Sequence, residues 1–160
     1  GGAQAPGAGG AGGAAGRPER SWEEGDALFD SGRYGEAVEA YNCALGGPGG
    51  AAAASPAASA EARSRPGSPP HRAFITLLNR SSAYIQLGCY ESALSDAQAA
   101  AHLSPQSAKV LYLEGLARLG LAQGAAARDT LRRALSFAGP DVPTRLRIHQ
   151  ALQRAEAGGS

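Results

Sequence analysis

Few side chains in this sequence are types that could do chemistry, and their spacing decides most cases. His71, His102 and His149 are far apart, and none has a Cys, His or acidic neighbour at ligand spacing, so no metal site is expected. Cys43 and Cys89 are the two cysteines, each within a helical pattern, and two reduced thiols are expected rather than a disulfide or redox pair. Glu23, Glu24, Asp26 and Asp30 crowd one predicted helix. Carboxylates there suit the positive end of the helix dipole, so a solvated helix start is expected over acid–base chemistry. Glycine spacing in residues 1–16 imitates a phosphate loop, but no strand precedes it and no Lys-Ser/Thr pair follows. Asn79-Arg80-Ser81 spells a glycosylation acceptor, yet it falls inside a predicted helix. Arg128, Arg132 and Arg133 form a basic stripe that reads as a solvated face. There is no nucleophile elbow, Walker loop or HExxH. Neither an enzyme nor a cofactor is expected.

Composition narrows the rest. Fifteen basic and 14 acidic residues leave a net charge of +1, which gives no electrostatic case for a nucleic-acid or membrane partner. No apolar run approaches the roughly 18 residues of a membrane span, and no charged stretch followed by an apolar one opens the sequence. A cytoplasmic protein is expected, with the nucleus as a second compartment. Much of the 23 Gly and 10 Pro falls in residues 1–16 and 46–70. Such segments bury too little apolar surface to offset the entropy of ordering. A disordered Gly/Ala-rich tail over 1–19 and a flexible insertion over 46–70 are therefore expected. About 110–120 residues remain, enough for one modest core.

That remainder shows apolar residues at helical spacing over Trp22–Ser31, Tyr34–Leu45, Arg72–Leu87, Tyr90–Leu103, Ser107–Leu119, Ala125–Phe137 and Asp141–Ala157. Gly32, Gly88 and the stretch Leu121 to Gly124 mark turns between them. The last helix has Asp141 as candidate N-cap, Pro143 in its first turn, and Val142, Leu146, His149 and Leu152 along one face. No stretch alternates with period two, so the chain is expected to be all-α.

Small residues then disclose a repeat. Ser81 to Gly115, Ala93 to Ala127 and Ala100 to Ala134 are each 34 residues apart. Gly25 to Ser81, Ala37 to Ala93 and Ala44 to Ala100 are each 56 apart, which is the same period plus 22 residues near the 46–70 insertion. A period of this length implies stacked helix hairpins, none of which buries its apolar face alone. Where two helices cross, backbones approach closely only if Gly, Ala or Ser stands at the contact.

The segments GDALFDSGRYGEAVEAYNCAL, SSAYIQLGCYESALSDAQAAAHLSP and GLARLGLAQGAAARDTLRRAL resemble the tetratricopeptide repeat (TPR) family over nearly all of 20–137. The third lacks the aromatic residue after its turn. The resemblance implies an all-α, right-handed superhelix of three helix hairpins, at about 20–45, 72–105 and 106–139, whose first helices line a concave groove. A C-terminal capping helix at 141–157 completes a domain spanning 20–157.

Within that family LLNRSSAY is similar to the stretch with which Hsp70/Hsp90 co-chaperones grip the C-terminal EEVD carboxylates. Such a clamp needs charge-assisted donors aimed into the groove. The resemblance puts Asn79 on the clamp's second-repeat asparagine and Lys109, the only lysine, on its third-repeat lysine. It also shows departures. Trp22 replaces the first-repeat lysine, Asp26 the first asparagine, and Leu113 the third-repeat arginine. A carboxylate at Asp26 would repel an incoming one by about 1–3 kcal/mol in a partly desolvated groove. QSAKVLYLEGLARL and DVPTRLRIHQAL resemble the third repeat and following helix of a chaperone-associated U-box ubiquitin ligase, where the acidic residue matching Asp141 helps position the tail.

The expected function is a non-enzymatic adaptor or co-chaperone-like module. It would hold a peptide or helix, such as the Hsp70/Hsp90 C-terminal tail, against Trp22, Asp26, Asn79, Gln86, Lys109, Tyr112, Leu113 and Asp141. The alternative is a structural subunit that docks by its convex or terminal faces.

Overall fold

A computed structural model of the chain describes residues 18–45 and 69–158, so the tail over 1–17 and most of the insertion lie outside the described residues. Among the described residues there are seven helices and no strand. They are α1 (Pro18–Asp30), α2 (Tyr34–Ala44), α3 (Pro69–Gln86), α4 (Tyr90–Leu103), α5 (Ala108–Gly120), α6 (Gly124–Phe137) and α7 (Val142–Ala157).

Two boundaries differ from the sequence reading. α1 starts at Pro18, inside the expected tail, and α3 starts at Pro69, inside the expected insertion. Proline is well tolerated at the first turn of a helix, where its missing N–H has no intrahelical acceptor and its φ is already helical. Both prolines fall inside the segments whose composition suggested a tail and an insertion, so these helix starts were not read from the sequence.

The three hairpins close by one motif. Gly32 N–H bonds Phe29 O at 3.0 Å and Arg33 N–H bonds Leu28 O at 2.9 Å. The same pair recurs as Gly88 to Ile85 and Cys89 to Tyr84, and again as Ala122 to Leu119 and Gln123 to Arg118. This is the Schellman arrangement, which needs a left-handed residue just past the helix end. Gly32 (φ 79°) and Gly88 (φ 76°) supply it without strain, whereas Ala122 (φ 59°) adopts it with a Cβ.

Inside each hairpin the small residues stand at the crossing. A Cβ on Gly25 would lie 2.4 Å from Tyr41 Cε1, and one on Gly115 would lie 2.6 Å from Leu131 Cδ2. In the middle hairpin Ser81 is fully buried and donates from Oγ to Ala93 O at 2.9 Å. Tyr41, Ala97 and Leu131 share one repeat position, so a large residue faces glycine and a small one serves where serine stands.

Each hairpin then docks on the next. α2 packs on α3, α4 on α5 and α6 on α7, while α1, α3, α5 and α7 touch in succession. The first helices thus form one layer and α2, α4 and α6 the other. Leu77, Leu78, Ala97, Ala100, Leu103, Val110 and Leu113 make the central core, and Leu45 reaches it from the first hairpin. Leu111, Leu131, Ala134, Ile148, Ala151, Leu152 and Ala155 make the terminal one. Burying each Leu or Ile side chain contributes about 1.5–3 kcal/mol. Arg80 crosses between hairpins: its Nε and Nη2 donate to Asp96 at 2.7 Å each, and its Nη1 donates to Asn42 Oδ1 at 2.7 Å. Arg80 and Asp96 are only 3% and 6% exposed, and the bidentate geometry leaves neither charge uncompensated.

α7 buries Ile148, Ala151, Leu152 and Ala155, a stripe that shares only Leu152 with the face noted in the sequence; Val142, Leu146 and His149 are exposed. Val142 is 70% and Leu146 56% exposed, because the first turns of α7 stand beyond the end of the core that α5 and α6 offer. Asp141 takes the N-cap backbone position, but its side chain makes no capping bond, whereas Ser107 Oγ caps α5 by accepting from Val110 N–H.

Candidate functional site

Helical spacing brings one group of polar residues together between α1 and α3. Trp22 and Asp26 are one turn apart on α1, and His71, Arg72, Ile75, Thr76 and Asn79 recur at helical intervals on α3. These seven residues line a cavity of about 300 Å³. In its wall, Asp26 Oδ1 accepts two hydrogen bonds, from Tyr41 Oη at 2.7 Å and from Asn79 Nδ2 at 2.8 Å. Gly25 makes this possible, since the Tyr41 ring occupies the space a Cβ would take. Burial pushes the Tyr41 hydroxyl well above its usual pKa, and the hydrogen bond to Asp26 and that residue's charge push the same way. The Trp22 indole N–H is buried without an acceptor, and the Arg72 guanidinium stands 6.0 Å from the centre of the indole ring.

A larger cavity of about 680 Å³ lies toward the other end of the stack. Ile85 and Gln86 from α3, Tyr112, Leu116 and Leu119 from α5, and Arg154 and Ala155 from α7 line it. The first residues of α4 and α6, Tyr90 and Gly124, close one side.

The eight expected groove residues therefore separate. Trp22, Asp26 and Asn79 meet in the smaller cavity, while Gln86 and Tyr112 belong to the larger. Lys109 and Asp141 are exposed and line neither. Leu113 is 5% exposed and belongs to the central core, so it presents nothing to a ligand. Sequence reasoning did not anticipate Tyr41, whose signal was a bulky aromatic at a position matched by Ala97 and Leu131, with glycine opposite. His71, Arg72, Ile75 and Thr76 were missed because their part of α3 adjoins the segment read as insertion. Among the described residues no group of three or more His, Cys, Asp or Glu is placed to hold a metal ion, and Cys43 and Cys89 are free and exposed.

Solved structures share this arrangement. The Sgt2 TPR domain from Aspergillus fumigatus superposes with a TM-score of 0.63, at 24% identity over 88% of this chain and 77% of that one. The first TPR of Spaghetti (RPAP3), bound to the HSP90 peptide SRMEEVD, gives 0.65 at 22% identity over 89% and 94%. The TPR2B domain of yeast Sti1, in complex with pHsp70, gives 0.63 at 20% identity over 88% and 96%. The fold is that of a TPR domain. No protein-family model matches the sequence. In a TPR stack the first helix of each hairpin faces the concave side, and both cavities of this TPR fold are lined chiefly by that layer.

Proposed function

We propose that the chain is a non-enzymatic protein-interaction module that holds an extended peptide segment along the concave layer formed by α1, α3, α5 and α7. The observation that carries this reading is the pair of cavities opening between successive first helices, each mixing apolar walls with a few polar groups. Such surfaces suit a peptide whose alternate side chains enter pockets while its backbone is met by side-chain donors and acceptors. The Trp22 N–H, buried without an acceptor at this surface, would donate to a peptide carbonyl only once uncovered. The test is co-purification of partners with two variants whose helical content is unchanged. Ile75→Arg in the smaller cavity should release partners that Arg132→Glu with Arg133→Glu, both exposed on α6, retains. The opposite result would support the structural-subunit alternative, in which the outer layer docks.

For the identity of the peptide, the resemblance of Asn79 and Lys109 to clamp residues and the similarity to TPR domains solved with HSP90 and Hsp70 peptides favour an EEVD tail. The Asp26 carboxylate weighs against tight capture. Asn79 already donates to it, and the resemblance to the clamp puts it where a tail carboxylate would arrive. We therefore expect weak binding of an EEVD-ending peptide, by way of Lys109. Asp26→Asn, which keeps the shape and removes the charge, should strengthen that binding about tenfold or more. Fluorescence titration decides it. An unchanged affinity in Asp26→Asn, or indifference to Lys109→Ala, would remove the chaperone-tail reading and leave the general one standing.

A further inference from the structure

The second helices of the first two hairpins begin with Tyr34 and Tyr90, 56 residues apart, and 34 residues later α6 begins with Gly124. The tyrosines fill space at the turn end of the stack. Tyr34 meets Phe29 edge to face with ring centres 5.2 Å apart, and Tyr90 lies so close over the end of α5 that a Cβ on Gly120 would be 2.2 Å from its ring. Nothing comparable fills the third hairpin. A Cβ on Gly124 would meet only Ala155 O, at 3.8 Å, which is ordinary contact. The position borders the cavity of about 680 Å³, whose other walls include Tyr90, Leu116, Leu119 and Arg154. Arg154 is the sole charged residue in that lining, it is exposed, and its guanidinium is paired with no carboxylate among the described residues.

We propose that this cavity is a receptor for an aromatic ring followed by a carboxylate, as at the C-terminus of a partner peptide that ends in phenylalanine or tyrosine. The ring takes the place that the repeat's own tyrosine leaves open at Gly124, against Tyr90 and Leu119, and the carboxylate meets Arg154. Aromatic stacking supplies the contact area, and a charge-assisted bond to a guanidinium supplies the end-recognition. The site is distinct from the cavity at Asp26, and the proposal rests on the reading of the concave layer as a peptide-holding surface.

The probe is an N-acetylated Ser-Gly-Ser-Gly-Phe peptide with a free carboxylate, titrated into the isotopically labelled chain by NMR. Its shifts should centre on the amides of Gly120, Gly124 and Leu119. Replacing the terminal Phe by Ala, or amidating the terminus, should weaken binding about tenfold or more. Gly124→Tyr should abolish it while leaving the helical spectrum and melting temperature at or above those of the parent, because two hairpins already carry tyrosine there. Arg154→Gln should erase the preference for acid over amide. Equal binding of the Phe and Ala peptides, or full binding by Gly124→Tyr, overturns the proposal. If the probe fails to bind while Ile75→Arg still releases co-purified partners, this cavity alone loses its assignment. If Ile75→Arg retains them, the general reading is lost as well.

Discussion

At Asp26 a single carboxylate oxygen holds a hydroxyl from α2 and an amide from α3, so one residue joins both helices of the first hairpin to the second. The resemblance to the chaperone clamp puts an asparagine at this position, and the consequences of the carboxylate go beyond charge. It draws Asn79 into an internal bond and fixes the Tyr41 hydroxyl in its protonated form. The pH consequence has a definite sign. Tyrosine in the unfolded chain ionises near its ordinary value of 10.0, while Tyr41 in the fold stays protonated because burial, then the Asp26 hydrogen bond and charge, raise its pKa. The contribution is therefore fully present below about pH 10 and is lost as pH rises above it, on the order of 1 kcal/mol per pH unit at first. Denaturant titrations at a series of alkaline pH values should show a shallower decline for Tyr41→Phe than for the parent. Parallel declines would mean that the hydroxyl is not held in this way. At neutral pH the same variant should be less stable by about 1 kcal/mol, the worth of one hydrogen bond.

At the scale of elements, the hairpin turns show what periodicity reveals and what it conceals. The 34-residue interval located all three hairpins, since small residues at the crossings are a steric necessity and therefore visible as composition. Helix starts were harder. Pro18, Pro69 and Pro70 lie in segments whose composition suggested disorder, yet they stand in first turns. The buried face of α7 was not legible in sequence because the 16-residue helix carries two apolar stripes, and only the position of α5 and α6 decides which one is covered. The third turn also departs from its relatives: Ala122 holds a left-handed conformation that glycine supplies in the other two. Ala122→Gly should therefore raise stability by about 0.5–1 kcal/mol, the relief of a strained Cβ exceeding the added freedom of the unfolded chain. Chemical denaturation measures this, and a loss of stability would show the turn to be unstrained.

For the whole molecule, stacking turns weak local signals into one surface. The TPR fold follows from repeat spacing, but which groove residues cooperate does not, because the cavities lie between hairpins and depend on how successive first helices meet. Leu113 illustrates this: its matched position suggested the groove, and the packing of α5 on α3 and α4 placed it in the core. Arg80 illustrates the converse. It looks like a charge on an apolar helix face, and the stack uses it as a buried tie between Asn42 of the first hairpin and Asp96 of the second. The central claim is that the concave layer, and not the outer helices, receives the partner. NMR shift mapping on the labelled chain with a co-purified partner added tests it most directly. The Trp22 indole N–H and the amides of Thr76, Ile85 and Tyr112 should move, while those of α2, and of α4 and α6 beyond their first turns, stay. Shifts gathered on Glu39, Arg132 and Arg133 of the outer helices, with the Trp22 indole signal unmoved, would contradict it.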